Sequence, residues 1–318
     1  MTSRVGIIIP LFNESDVLPL LAERLHKVLP GICERQSVTF ELFFVDDGSS
    51  DQTVARLLDQ SFDFSANVTV LSRNFGKESA LSAGLDEASR AGVDAAVLMD
   101  ADLQHPPELI EDLIGEWRAG HELVYFFKQS RENEGSGKSL GSWLFYRLTN
   151  YGARFEIPAD AGDFRLIDAK ALSALCSLPE RERFLKGLYA WIGFKQKGLP
   201  FEAPERAGGG GTKFGMARLL LLAIDGLTSF SIVPIRLLSL TGLLISLLSV
   251  FYILWIVGEF LIMGSPFSGF ASIVVLITFF GGYQIFFIGL IGEYVGKSLT
   301  EAKQRPVYLV RDKIDLKK

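Results

Sequence analysis

Two long stretches without a charged side chain limit what this chain can fold into. Residues 237–258 are 22 uncharged residues in a row, and residues 260–292 are 33 more. A helix crosses the hydrocarbon core of a bilayer in about 20 apolar residues. Gly264-Ser265-Pro266-Phe267-Ser268-Gly269 interrupts the second stretch like a turn. The pattern predicts two transmembrane helices within residues 231–296, joined by a short external loop. Arg218, Arg236, Lys297, Lys303 and Arg305 flank the outer ends, whereas the loop carries no Lys or Arg. By the positive-inside rule both termini lie in the cytoplasm. The expected location is the cytoplasmic membrane, crossed more than once. Small residues in the spans (Ser239, Gly242, Ser246, Ser249, Gly281, Gly282) permit close helix packing, within a chain or in a homo-oligomer.

The charged residues lie mostly before Asp225, which calls for a soluble domain ahead of the spans. A net charge of −5 gives no support to a nucleic-acid partner. Cys33 and Cys176 lie far apart with no metal-ligand spacing, so neither a metal cluster nor a structural disulfide is expected, and a reducing compartment fits. Met1-Thr2-Ser3-Arg4 runs straight into a strand-like segment, without a leader of secretory type.

Apolar runs and helical spacings alternate along this first part. Strands are predicted at residues 5–10, 40–45, 68–71, 95–99 and 123–127, and residues 160–167 read as a loop into a strand. Helices are predicted at 16–29, from Ser50 as N-cap to about 60, from the polar loop at 72–78 to 90, and at 106–119, 169–178 and 184–192. The alternation predicts an α/β fold with a parallel, doubly wound sheet. Residues 129–141 are polar and rich in Gly and Ser, a pattern of mobile loops. Residues 206–230 predict a flexible connection and a helix lying in the membrane interface. The expected organisation is thus a catalytic domain at 1–205, the connection and interfacial helix at 206–230, the spans at 231–296 and a cytoplasmic tail at 297–318.

The strand at 95–99 ends in Asp100-Ala101-Asp102-Leu103-Gln104-His105-Pro106-Pro107. Two carboxylates one residue apart repel each other unless a cation lies between them. A divalent ion that also holds a diphosphate is one solution, and Mg²⁺ or Mn²⁺ prefers such oxygen ligands. Asn13/Glu14 and Asp46/Asp47 follow other strands in the same way, and in a Rossmann-like order the three loops converge on one crevice. Neither Gly-x-Gly-x-x-Gly nor a Walker loop is present, which disfavours a dinucleotide oxidoreductase or a P-loop NTPase.

Ile9-Pro10-Leu11-Phe12-Asn13-Glu14, Val45-Asp46-Asp47-Gly48-Ser49-Ser50-Asp51 and Asp100-Ala101-Asp102 together resemble family 2 glycosyltransferases of the GT-A fold. Arg73-Asn74-Phe75-Gly76-Lys77-Glu78, Gly162-Asp163-Phe164-Arg165-Leu166 and the two spans narrow the resemblance. They are similar to polyprenyl-phosphate glycosyltransferases, near the bactoprenol glucosyltransferases and more distantly dolichyl-phosphate mannose synthase. The resemblance implies a GT-A, Rossmann-like doubly wound domain followed by an interfacial helix and two transmembrane helices. It implies inverting transfer of a hexose from a nucleotide sugar to a polyprenyl phosphate such as undecaprenyl phosphate, with Mg²⁺ or Mn²⁺ as cofactor. UDP-glucose is the preferred donor and GDP-mannose the alternative.

Carried over position by position, Pro10, Asn13 and Glu14 line the nucleotide pocket and Asp46 contacts base or ribose. Asp47 either joins it or caps the loop. Asp100 and Asp102 hold the metal and sugar diphosphate, Asp102 counting as catalytic through the metal, and Gln104 matches a further metal-side position. His105 departs from the Asp often found there and is not counted as a ligand. Lys77 either meets a phosphate or pairs with Glu78. Asp163 stands where the family has its catalytic base. A lipid phosphate is already largely a dianion at neutral pH, its second pKa being about 6. Asp163 therefore either abstracts a proton, orients the acceptor or bridges to Arg165. Arg131, Arg206 and Lys213 are the candidates for the acceptor phosphate.

Three rival functions fit less well. A transporter needs more than two spans and polar groups inside them. A processive polysaccharide synthase carries a Gln-x-x-Arg-Trp motif that is missing here. A dead nucleotide-binding scaffold does not need intact carboxylates at every motif position.

Overall fold

The structure, a computed structural model, describes residues 2–128, 158, 161–181, 183–201, 233–263 and 269–316. The elements in chain order are β1 (Ser3–Leu11), α1 (Leu18–Gln36), β2 (Val38–Asp46), α2 (Thr53–Leu58), β3 (Ser65–Leu71), α3 (Lys77–Ala91) and β4 (Ala95–Leu98). A 3-10 turn (Pro107–Leu109), α4 (Ile110–Arg118), β5 (Leu123–Lys128), β6 (Ala161–Asp168), α5 (Ala169–Cys176), α6 (Leu185–Trp191) and β7 (Gln196–Phe201) follow. Two long helices, α7 (Val233–Met263) and α8 (Phe270–Ala302), precede β8 (Val310–Leu316).

All eight strands form one sheet in the order β7-β5-β6-β4-β1-β2-β3-β8. Val5, Ile7, Ile8 and Ile9 are all buried, so β1 is covered on both faces, as a central strand between helix layers must be. Ile7 and Ile9 join Leu18, Leu21, Leu25 and Leu29 of α1 in the main core. Each such side chain contributes roughly 1.5–3 kcal/mol by leaving water. On the other face α3 lies close against β1: a Cβ built on Gly84 would stand 2.3 Å from Ile8 Cγ2. Only a residue without a side chain allows that approach.

The expected parallel sheet is corrected to a mixed one. β1, β2, β3 and β4 pair in parallel, as do β5 and β7, but β6 runs antiparallel to both β4 and β5. β8 is antiparallel to β3. Helix α1 continues past Pro30 to Gln36, beyond the predicted end at residue 29. Buried Ile32 and the two-bonded pair of Arg35 with Glu111, both contacts at 2.8 Å, hold the added turns. Ser50 does not cap α2: the N-cap position is Gln52, without a side-chain cap, and Asp51 just before it accepts from Thr53 N at 2.9 Å.

No strand was predicted in the tail, yet β8 pairs along β3 from Ala66 with Leu316 to Val70 with Asp312. Tyr308 donates to Asp86 at 2.6 Å and Lys313 meets Glu87 at 2.8 Å. The pairing covers the backbone groups of β3, which would otherwise form an open edge.

α7 and α8 belong to a second unit, distinct from the one containing the sheet. The break predicted at residues 264–269 falls between them, with Gly269 as the N-cap of α8. Tyr283 donates to Thr241 Oγ1 at 2.8 Å, tying one helix to the other. Among the described residues one segment, Leu240–Glu259, is long and apolar enough to cross a membrane, with a mean hydropathy of 2.4. Large apolar side chains on both helices are exposed, Trp255, Ile262, Ile285 and Ile288 among them.

Candidate active site

The sheet order fixes where the site lies. From β1 the chain moves one way to β2 and β3, and β4 then joins the opposite side of β1. The crevice outside the carboxyl ends of β1 and β4 is thus a topological switch point, where open α/β sheets bind ligands. Asn13 and Glu14 follow β1, Asp46 ends β2, and Asp100 and Asp102 follow β4. The antiparallel direction of β6 brings its first residues to the same edge. Leu98 pairs with Arg165, so the register runs on to set Asp163 opposite Asp100.

The loops after β1 and β2 are stitched together. Asn13, held at a positive φ of 55°, accepts from Ser50 N at 2.9 Å, and its own N–H donates to Ser49 Oγ at 2.9 Å. Glu14 N donates to Thr53 Oγ1 at 2.9 Å. Glu14 is raised above the usual carboxylate range by burial first, then by the negative charge of Asp102, Asp51 and Asp100. The acidic groups after β1 and β4 thus lie within electrostatic reach of each other. Asp46 is 1% exposed; its Oδ2 accepts from Ser49 N at 3.1 Å, and its buried Oδ1 has no hydrogen-bond partner among the described residues. Pro10 pairs with Val45 inside the sheet, directly beneath these loops.

Asp47 serves the loop. Its carboxylate accepts from Phe75 N at 2.7 Å and Gly76 N at 2.9 Å, fixing the segment that starts α3. Gly48 follows with φ +69°, and a Cβ there would stand 2.4 Å from the Arg73 carbonyl carbon. Asp47→Ala leaves both N–H groups without that acceptor. Thermal or urea unfolding should show a loss of about 2–3 kcal/mol, and unchanged stability would refute this bracing role.

At the β4 end, Leu103 has a positive φ of 56°, and the turn lets Gln104 N donate to Asp102 Oδ1 at 3.1 Å. Asp102 and Gln104 are exposed. Lys77, the first residue of α3, links β4 to β6. Its Nζ lies 2.7 Å from Asp100 Oδ1, 2.9 Å from Asp100 Oδ2 and 2.8 Å from Asp163 Oδ2. The pairing of Lys77 with Glu78 weighed from sequence is replaced by this bridge. Burial opposes the charge on Lys77, but Asp163 and Asp100 outweigh it and raise the ammonium above its ordinary pKa. Lys186 approaches Asp163 Oδ1 at 3.8 Å. For Asp163 burial favours the neutral acid, yet Lys186 and Lys77 prevail and hold the carboxyl below its usual value.

Beneath Asp163 lies a layer that sequence reasoning did not assign. Arg165 is buried, donates to Gly162 O at 2.6 Å and stacks 3.9 Å from the centre of the Tyr189 ring. It does not form the direct bridge to Asp163 considered from sequence; Lys77 and Lys186 are the ion partners. Glu78 Oε2 accepts from Leu185 N at 3.1 Å, at the start of the helix that carries Lys186. Burial, followed by repulsion from Asp163, pushes the Glu78 carboxyl up to about 7. Glu78 was weighed from sequence only as a partner for Lys77, and Lys186 stood out as no more than one residue of a predicted helix; their role depends on remote segments meeting.

The raised Glu78 has a consequence for stability. Its folded pKa exceeds its unfolded one, so its contribution is full below about pH 4.5 and is lost as pH rises through about 7. Glu78→Gln removes this loss and keeps an acceptor for Leu185. The variant should gain stability on the wild type between pH 5 and 8, by at most about 3 kcal/mol. Parallel melting curves across that range would sink the assignment.

His105 stacks on Phe164 and tilts against Phe201, each at a ring distance of 5.1 Å. It packs with aromatics. Arg131, Arg206 and Lys213, the expected acceptor-phosphate cations, lie outside the described residues.

Among the described residues no group of three or more His, Cys, Asp or Glu is arranged to hold a metal. The donor set that remains, Asp100 and Asp102, fits Mg²⁺ or Mn²⁺. Such ions are commonly held by one or two carboxylates together with substrate phosphates and water.

The mixed sheet with paired carboxylates at the β4 edge agrees with the GT-A, Rossmann-like fold that the motif resemblance implied. Residues 6–176 match Glycosyl transferase family 2, and the chain belongs to that family. An uncharacterized glycosyltransferase of Synechocystis sp. is 41% identical over 98% of this chain and 96% of its own length. The bactoprenol glucosyl transferase of Shigella phage SfV is 35% identical over 97% of this chain and 98% of its own. The resemblance seen in the sequence motifs thus extends over nearly the whole chain. Among solved structures, glucosyl-3-phosphoglycerate synthase of Mycobacterium tuberculosis with Mn²⁺, uridine-diphosphate and phosphoglyceric acid is 18% identical. It covers 71% of this chain and 76% of its own, at a TM-score of 0.48, too distant a likeness to carry weight.

Proposed function

We infer that this glycosyltransferase moves a hexose, glucose, from a UDP-sugar to a polyprenyl phosphate at the cytoplasmic face of the membrane. The observation that carries the reading is the β4–β6 edge, where Asp100 and Asp163 face each other across Lys77. One carboxylate belongs to the Asp-x-Asp pair suited to a nucleotide-sugar diphosphate, the other to the strand that the family places at the acceptor. The full-length similarity to a bactoprenol glucosyl transferase supports polyprenyl phosphate as acceptor and glucose as sugar. GDP-mannose is the alternative donor.

Asp100 and Asp102, with Gln104 beside them, would hold Mg²⁺ or Mn²⁺. A divalent cation bound there would supply positive charge against the departing diphosphate. Asn13, Glu14 and Asp46 line the side where the nucleoside lies, and Asp46 Oδ1, without a partner among the described residues, suits a donor group of base or ribose. Asp163 is poorly placed to be a base. An efficient base has a pKa near the working pH, whereas Lys77 and Lys186 hold this carboxyl low. Its work is to keep two ammonium groups in the crevice, where they attract phosphate oxygens. Arg131, Arg206 and Lys213 are proposed to complete that cationic surface.

α7 and α8 are proposed as two membrane spans with both chain termini in the cytoplasm. Their exposed apolar side chains suit lipid, and Leu240–Glu259 meets the length of a span. The division into a catalytic domain at 1–205, an interfacial connection at 206–230, spans at 231–296 and a cytoplasmic tail follows from the same reading.

The test is direct. Purified protein, undecaprenyl phosphate and Mg²⁺ or Mn²⁺ are incubated with labelled UDP-glucose or GDP-mannose, and label is followed into the organic phase. Transfer from UDP-glucose alone is expected. Transfer from GDP-mannose alone would replace the donor, and transfer from no nucleotide sugar would overturn the reading.

A further inference from the structure

Lys77 contacts both oxygens of Asp100, at 2.7 and 2.9 Å, while also holding Asp163 at 2.8 Å. A metal ligated by Asp100 must approach those same oxygens. An ammonium and a divalent cation repel strongly at such range, the more so in a crevice of low effective dielectric. One of them must move. Lys77 is able to: its side chain is 45% exposed on a flexible four-carbon stem.

We propose that Lys77 is a displaceable counter-cation of the donor site. Without donor it neutralises Asp100 and Asp163. It leaves Asp100 when a divalent cation arrives together with a nucleotide diphosphate, whose oxygens give the ammonium new acceptors. This rests on the reading of Asp100 as a metal ligand. Metal alone must compete with the ammonium, and nucleotide alone meets the negative charges of Glu14, Asp100 and Asp102. Each therefore strengthens the other's binding by the same factor, as linkage requires.

Mn²⁺ binding to the full-length protein in detergent, read from the free-ion EPR signal with and without UDP or GDP, tests this apart from turnover. In the wild type nucleotide should tighten Mn²⁺ binding by about tenfold or more. Lys77→Met should bind Mn²⁺ alone about tenfold more tightly than the wild type, with the nucleotide gain reduced below about threefold. Lys77→Arg, which keeps the charge, should behave as the wild type. Lys77→Gln supplies the same comparison if the Met variant does not fold. Unchanged Mn²⁺ affinity in the neutral variants, or tight metal-alone binding by Lys77→Arg, overturns the proposal. Asp100→Asn separates it from the reading beneath. If Asp100→Asn binds Mn²⁺ like the wild type, Asp100 is no ligand. If it loses Mn²⁺ while the neutral Lys77 variants stay unchanged, only the displacement fails.

Discussion

Asp102→Ala should lower sugar transfer by about 10³-fold at saturating donor and acceptor. Asp102 ends the turn after β4, its Oδ1 accepting from Gln104 N at 3.1 Å, and it is exposed at the edge where a diphosphate would lie. Losing it halves the carboxylate set available to a divalent cation. The charge missing from the departing diphosphate appears in the barrier, where each 1.36 kcal/mol is a factor of ten in rate. The fold should persist, because Asp102 packs against nothing in the core. Initial rates at several Mn²⁺ concentrations, with a melting curve as control, make the measurement. Transfer within about threefold of the wild type would sink the metal-site assignment.

Asp163→Asn should reduce kcat by about 10²–10³-fold while leaving the acid limb of the pH profile in place. The loss follows from geometry: an amide does not hold the ammonium groups of Lys77 and Lys186, now at 2.8 and 3.8 Å. The pH argument follows from charge. The Asp163 carboxyl is held below its ordinary pKa, so it stays ionised throughout pH 5–8. A fall in rate on acidification through about pH 6–7 then belongs to groups other than Asp163, namely the acceptor phosphate, whose second pKa is about 6, and Glu78, pushed up to about 7. Rates of wild type and variant across pH 5–8 decide the matter. An acid limb that disappears in Asp163→Asn would make Asp163 the general base after all.

Much of the fold was legible because its signals are local. Residues 95–99 read as a buried strand, and β4 occupies 95–98. The two carboxylates after it read as a strand-end site, and the sheet order sets them at the switch point beside β1. Asn13, Glu14 and Asp46 follow the same rule. Other features depend on partners remote in sequence. The direction of β6 was not legible, since an apolar run has the same period whichever way it pairs. That direction is what brings Asp163 to the Asp100 edge. β8 was missed for a related reason: Val310-Arg311-Asp312-Lys313-Ile314-Asp315-Leu316 is too charged to read as a strand until β3 offers it an edge. Arg165 looked like a partner for Asp163, two residues away; on a strand the two share a face, but Tyr189 and the Gly162 carbonyl take the guanidinium instead.

The sequence by itself determined the class of the chain. The ordered motifs that resemble family 2 glycosyltransferases, and the long uncharged stretches, are properties of neighbouring residues, and they survive any arrangement of the elements. Only the tertiary structure decided which charges meet. Lys77 lies 23 residues from Asp100 and 86 from Asp163, yet one ammonium touches both carboxylates. Electrostatic energy depends on distance in space and on burial, neither of which sequence separation records.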